Sequence, residues 1–363
     1  MSEIIEYKCP ACGGAMEFDS KTQKMKCPYC DTVMDVENFE DIPSQQGGNR
    51  ETSDSENWAA AGGERWQSGE TEGMRIYSCE SCGGEIVAEE TTAASTCPFC
   101  GNRIVMKGQF AGDLKPDYII PFKMDKKAAK AAYFKHLKGK DFLPKIFRKN
   151  NHIDEMKGVY VPFWVFDAEA DADITYRAEQ QRTWEKGDTE YTEHKNYELR
   201  RSGKLSFSHV PVDGSQKMDD ALMESIEPYD FADAVPFHPA YLAGYMADRY
   251  DVEANACIGR AKERMKKSTD LSFEETISGY QVVRPVQTRI SVDRARYWYV
   301  LYPVWLLNTT WNGNQYVFAM NGQTGKMVGD LPMDKKEFWK YTVKRAAVIG
   351  LVLYAIQWIL VLM

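Results

Sequence analysis

The sequence predicts an α+β protein: two small cysteine-rich units, then a mixed α+β body with an antiparallel sheet, then one C-terminal transmembrane helix. Three observations predict it. Eight of the nine cysteines form two copies of one spacing. The middle of the chain mixes period-two alternation with helical segments. The last eighteen residues carry no charge.

The cysteine copies read Cys-x2-Cys, fourteen residues, Cys-x2-Cys. One is Cys9, Cys12, Cys27 and Cys30; the other is Cys79, Cys82, Cys97 and Cys100, each 70 positions after its counterpart. Four thiolates in two knuckles are a complete tetrahedral set for Zn²⁺, so two structural zinc ribbons are expected, at 1–36 and 73–106. Glycine follows the second cysteine of three knuckles (Gly13, Gly83, Gly101), where the turn needs positive φ; Asp31 takes the fourth place. With four protein ligands no position is left for a substrate. A redox pair would sit between a strand and a helix, and the apolar residues nearby are too sparse for that. Disulfides need an oxidising compartment, and the chain opens Met1-Ser2-Glu3 without an apolar signal segment. Iron is the main alternative metal. Cys257, with no His near it in sequence, reads as a small buried residue.

The composition is globular, 44% hydrophobic and 27% charged, with a formal net charge of −8. Two zinc ions on eight thiolates would make it about −12. That sign disfavours nucleic acid as the main partner. Lys8, Lys21, Lys24 and Lys26 are a local exception in the first ribbon; the spacer of the second is acidic, Glu85 to Thr92.

Residues 37–72, rich in Gly, Ser, Glu and Gln, read as a linker that carries Trp58 and Trp66. The body is expected over 113–333. Asp125 caps a helix that Gly139 stops. Val159 to Tyr176 alternates as a strand, with Asp167, Glu169, Asp171 and Asp173 on one face. Such a row is either an ion-paired sheet face or a seat for a hard cation. Ser215 caps a helix to Ile226; two more helices fit 239–249 and 252–267. Strands return at 281–292, 297–308, 314–320 and 326–329. Tyr160-Val161-Pro162-Phe163-Trp164 resembles Leu301-Tyr302-Pro303-Val304-Trp305, as if two related sheet halves had helices between them.

The final segment, 346–363, would span about 27 Å as a helix, close to a bilayer's hydrocarbon thickness. Lys335, Lys336, Lys340, Lys344 and Arg345 precede it, with Trp339 and Tyr341 among them. These features predict a tail anchor: a single-pass cell-membrane protein with its body in the cytoplasm and the membrane as a partner. No nucleophile and base assemble in sequence, and Asn321 to Lys326 lacks the glycine and hydroxyl of a phosphate loop. No enzyme and no small-molecule substrate are expected.

With these features in place, the chain resembles a family of bacterial proteins named for a TFIIB-type zinc ribbon. The resemblance rests on the two ribbons and on Lys157 to Asp173. It rests also on Val212-Asp213-Gly214-Ser215 with Met218-Asp219-Asp220-Ala221, and on Phe318 to Lys326. Some members are labelled PriA-like replication-restart helicases, a label that this chain, lacking a Walker loop, does not carry. Related zinc-ribbon proteins stand beside phage-shock and virion-core or SPFH-like proteins of envelope stress. The resemblance therefore implies an adaptor or scaffold that recruits a protein partner of that kind to the membrane. The alternative is a nucleic-acid-binding ribbon protein of replication or transcription.

Overall fold

The computed structural model describes residues 7, 9–12, 14–36, 58–66, 71, 74–89, 96–109, 114–140, 142–148 and 155–362. Strands β1 (Glu17–Asp19), β2 (Lys24–Lys26) and β3 (Val33–Met34) make a small antiparallel sheet in the first cysteine unit. After β4 (Trp58–Ala60), the second unit contributes β5 (Met74–Ser78), β6 (Glu85–Glu89) and β7 (Val105–Gln109). The chain continues through β8 (Tyr118–Ile119), helix α1 (Lys126–Leu137) and two long strands, β9 (Lys157–Lys186) and β10 (Thr189–Asp213). Then come α2 (Asp220–Ser225), β11 (Val235–Pro236), β12 (Met246–Asp248) and α3 (Ala254–Glu274). The last elements are β13 (Val282–Trp311), β14 (Asn314–Asn321), β15 (Met327–Gly329) and α4 (Lys335–Leu362).

One large sheet organises all of this. Its main path is β11-β8-β13-β9-β12-β6-β5-β7, with β10 on β9, β4 and β14 on β13, and β15 on β14. The sheet is mixed: β4 and β8 run parallel to β13, and β12 runs parallel to β9. The fold is therefore a mixed α/β arrangement, a correction to the expected α+β class with an antiparallel sheet. The parallel strands are two or three residues long, too short for alternation to register in sequence.

The long strands follow the pattern read from sequence. From Phe166 to Ala178 the even-numbered residues of β9 are buried, and the odd-numbered ones line the other face. The carboxylates there are satisfied within the sheet. Asp173 receives Arg200 (Nε–Oδ1 2.7 Å), and Asp167 accepts the His209 N–H at 2.7 Å. Lys204 and Arg294 each stand 3.7 Å from Asp171 and Glu169. The row is thus the ion-paired sheet face rather than a cation seat. Beyond Glu179, where the pairing of β13 ends, β9 and β10 continue as a two-stranded hairpin arm whose side chains are mostly exposed.

The Pro-x-Trp resemblance is a tandem repeat. β9 and β13 pair antiparallel with Val161 opposite Tyr302, which relates the two motifs by a local two-fold. β12 pairs with β9 at Val159 and Tyr160; β8 pairs with β13 at the equivalent Val300 and Leu301. Each short strand leads through a five- or six-residue link to a helix, α3 or α1. The hydrogen bonds repeat as well. Gly214 N–H donates to Pro162 O (2.9 Å) and Gly322 N–H to Pro303 O (2.8 Å). The indole N–H of Trp164 donates to Val252 O and that of Trp305 to Met124 O, both at 2.8 Å. Each unit is strand, helix, long strand, returning strand, and each lends its short strand to the other's long one.

Several local expectations change. Ser215 does not cap a helix; Asp219 caps α2 instead. The segment 239–249 holds a 3₁₀ turn, Pro239–Leu242, and then β12, rather than a helix. Strands 281–292 and 297–308 are one strand with a bulge between Asp293 and Arg296. Asn321 to Lys326 is a hairpin turn, closed by Gly325 N–H to Asn321 O at 2.9 Å. Trp58 stacks edge-on against Phe166 (5.5 Å) and Trp66 against Phe237 (5.6 Å), so the described parts of the linker pack on the body.

The transmembrane anchor over 346–363, and the single-pass cell-membrane location built on it, are overturned. Among the described residues no helix is long and apolar enough to cross a membrane. Helix α4 starts at Lys335, and its first turns carry Lys335, Lys336, Glu337, Lys340, Lys344 and Arg345. The helix thus begins in charged turns, whose ammonium and guanidinium groups are costly to place in hydrocarbon.

The repeat predicts an unequal response to one substitution. A Cβ on Gly322 would lie 2.6 Å from the Phe122 ring and 2.8 Å from Pro303 Cβ, whereas on Gly214 its nearest neighbour is 3.3 Å away. Gly322→Ala should cost about 1–3 kcal/mol in urea unfolding and Gly214→Ala clearly less. Equal losses would remove overpacking as the explanation.

Candidate metal centres

Each cysteine set is assembled by two matched knuckles. Cys9 N–H donates to Gly14 O and Cys79 N–H to Gly84 O; Cys27 N–H donates to Thr32 O and Cys97 N–H to Asn102 O. The knuckles turn on positive φ, which Gly83 (71°), Gly101 (75°) and Asp31 (59°) adopt. Glycine does this without steric cost. Asp31 does it with an L side chain, whose carboxylate pairs with Lys26 at 2.8 Å. Gly13 lies outside the described residues.

In both sets the four Sγ atoms lie within 4.8 Å of one another, so each set could hold a metal ion. Sγ–Sγ distances are 3.4 Å for Cys9–Cys30, 3.5 Å for Cys12–Cys27, 3.4 Å for Cys79–Cys100 and 3.6 Å for Cys82–Cys97. A tetrahedral ion with bonds near 2.3 Å separates its sulfurs by about 3.8 Å. All eight are free cysteines. The structure thus brings together every residue expected as a ligand, in the expected two groups.

Electrostatics favour a cation at the centre. Burial raises the Cys9 thiol, but the backbone amides of Ala11 and Cys12 outweigh it and hold it at about 6. Cys12, despite help from the Gly14 amide, is pushed up to about 12 by Cys30 and Cys27. In the second set burial works against Cys79, yet the Cys82 and Ser81 amides bring it to about 7. Burial drives Cys97 well up. The amides prepare some thiolates, and the crowding of the rest calls for positive charge.

Outer contacts that sequence reasoning did not mark also repeat. Two positions after each last cysteine stand Thr32 and Asn102. Thr32 Oγ1 is 3.1 Å from Cys30 Sγ, and Asn102 Nδ2 is 3.5 Å from Cys100 Sγ and 2.8 Å from Ser81 Oγ. A polar side chain at one offset in both copies was the available signal. Lys157, bonded to Thr96 at the second set, brings its amine beside Cys97, where burial lowers its pKa more than Cys97 raises it.

Both units are seated on the body. Met16, Phe18 and Met25 of the first belong to the main core, where Phe18 N–H donates to Ala243 O (3.1 Å). Gln23 Nε2 donates to Phe122 O at 2.8 Å, and Lys21 pairs with Asp125 at 2.6 Å. In the second, β6 pairs with β12, and Asn308 and Gln315 donate to Pro98 O and Phe99 O. Cys257 is the buried residue expected, its thiol donating to Asp213 O.

A protein of Bacillus subtilis strain 168, described as uncharacterized protein YdjG, is 35% identical over 332 residues, covering 92% of this chain and 91% of its own length. The chain belongs to the YdjG family. A match to YdjG of that length spans the second cysteine set and both repeats. No family model matches the chain, and no solved structure does.

Two changes test the centres. Cys9→Ser with Cys12→Ser should remove one of two metal ions per chain, measured by elemental analysis, because the sets are separate. One shared ion per chain would contradict that. Asn102→Ala should weaken metal retention by roughly tenfold or more in chelator competition, with Cys100 left without its donor. Unchanged retention would confine Asn102 to shaping the knuckle.

Proposed function

We propose that this protein is a non-enzymatic zinc-binding adaptor whose metal centres stiffen a platform for a protein partner. Thiolate-only tetrahedral sets suit zinc and leave no coordination site for chemistry. The observation that carries the adaptor reading is the arm. Beyond the core it presents Trp184 and Tyr191, stacked at 5.8 Å and 14°, and Tyr197 against Tyr280. Trp184 and Tyr191 are 42% and 44% exposed. Exposed aromatics are the usual anchors of protein interfaces. The resemblance to TFIIB-type zinc ribbon proteins fits this reading, with a virion-core or SPFH-like protein as the partner it suggests.

Nucleic-acid binding is the second reading, from the lysines of the first unit. Lys21, Lys24 and Lys26 are each paired with a carboxylate, Asp125, Asp35 and Asp31, which weakens it.

A pull-down with the full-length protein should enrich a partner that is lost with Trp184→Ser and Tyr191→Ser together, while zinc content stays at two. Capture indifferent to those changes would move the interface off the arm. A gel shift that stays tight at about 0.2 M salt would favour the nucleic-acid reading, because nonspecific phosphate contacts fade with salt. Iron in place of zinc would show as visible thiolate-to-iron absorption.

A further inference from the structure

At the turn after the returning strand and on the short strand beside it, the first repeat buries acids where the second does not. Asp213 ends β10 and holds the Ser215 N–H on Oδ1 at 3.0 Å; Asn321 ends β14 and holds the Gln323 N–H on Oδ1 at 2.9 Å. The second oxygen of Asp213 is buried with no hydrogen-bond partner. The amide nitrogen of Asn321 instead donates to Ile226 O and Pro228 O, both at 3.0 Å. On the neighbouring short strand, buried Asp248 accepts the Ser215 hydroxyl. Its counterpart in the other repeat is Ile120, fully buried. The fold therefore requires neither acid, since the second copy makes the same turn and the same strand without them.

We propose that Asp213 and Asp248, two buried carboxyls that share Ser215, form a proton-operated latch: neutral, they stay buried and keep the first repeat's turn on β12 and the second cysteine unit seated; ionised, their burial and mutual repulsion loosen both. The link to that unit is direct, because Asp248 stands opposite Ile86 and Ala247 opposite Val87 where β12 pairs with β6.

The surroundings are acidic. Asp213 faces Asp248, Asp220 and Asp251, and its field also reaches Tyr229. From α3 come the Cys257 thiol and Arg260, whose guanidinium is bonded to Glu224 and Asp220. Asp248 faces Asp251, Tyr299 and Lys217, which is bonded to Asp251 at 2.6 Å. Burial, the largest cause for both, lifts Asp213 to about 8 and Asp248 to about 7. An unfolded aspartate titrates near 3.9. The folded state thus holds more protons between about pH 4 and pH 8, and stability falls as pH rises through that window.

The test uses the full-length, metal-loaded protein in urea at pH 6 and pH 9, with amide exchange at Ile86 and Val87 corrected for intrinsic rates. The wild-type midpoint should fall by roughly 0.5 M or more, and exchange in β6 should accelerate. Asp213→Asn with Asp248→Asn should remove most of both changes. Asn321→Asp, tested alone, should add a second fall; it keeps the idea testable should the double variant not fold. The same fall in wild type and double variant would overturn the latch. So would a fall with β6 exchange unchanged, or recovery at pH 9 on adding Mg²⁺ or Ca²⁺, which would make the pair a cation site.

Discussion

The antiparallel register of β9 on β13, with Val161 opposite Tyr302, is the constraint from which the rest follows. It sets the two Pro-x-Trp strands side by side about a local two-fold. Each proline carbonyl then accepts a glycine N–H from the end of its own returning strand. Phe122 and Pro303 leave no room for a Cβ on Gly322, while Pro162 O and the Trp164 indole leave a tight fit, 3.3 Å, on Gly214. The same glycine's carbonyl receives two amides from the link before α3 or α1: Asp251 and Val252 on Gly214, Lys123 and Met124 on Gly322. The tryptophans close the circuit by donating to Val252 and Met124. One register thus ties turn, link, helix start and aromatic core together twice.

The cysteine units depend on that frame and complete it. Their own strands are two to five residues long and cannot bury much alone. They borrow core from the body, through Met16, Phe18 and Met25 in one and through Ile86 and Phe99 in the other. Metal coordination would supply the local order that a core of that size lacks. The exposed sides of the knuckles, including Tyr29 at 76%, remain on the surface.

What could be read from sequence was what is written locally. Metal ligation demands fixed spacing, so the gathering of eight cysteines into two groups of four was legible, as was positive φ after the second cysteine. The alternation of β9 was legible because Phe166 to Ala178 repeat it, while Val159 to Val165 are buried on both faces; α1 was legible because Asp125 and Gly139 mark its ends. Parallel pairing was not, because β8 and β12 are too short to show period or direction. Nor was the role of Ser215: a serine before a polar stretch reads as a cap, and only the fold brings Asp248 to its hydroxyl. The uncharged run at the end was read apart from the charged turns that precede it, although both belong to α4.

The exchange of short strands between repeats has a consequence for biosynthesis. Tyr118 and Ile119 pair on one side with Pro236 and Val235, and on the other with Val300 and Leu301 of the second repeat's long strand. At about 5–20 residues per second, a ribosome needs on the order of 10–40 s to make the intervening chain. Once β9 is made it can pair with β10, but its other edge waits for β13. The sheet cannot close until the second repeat emerges, and the nascent chain carries an open strand edge until then.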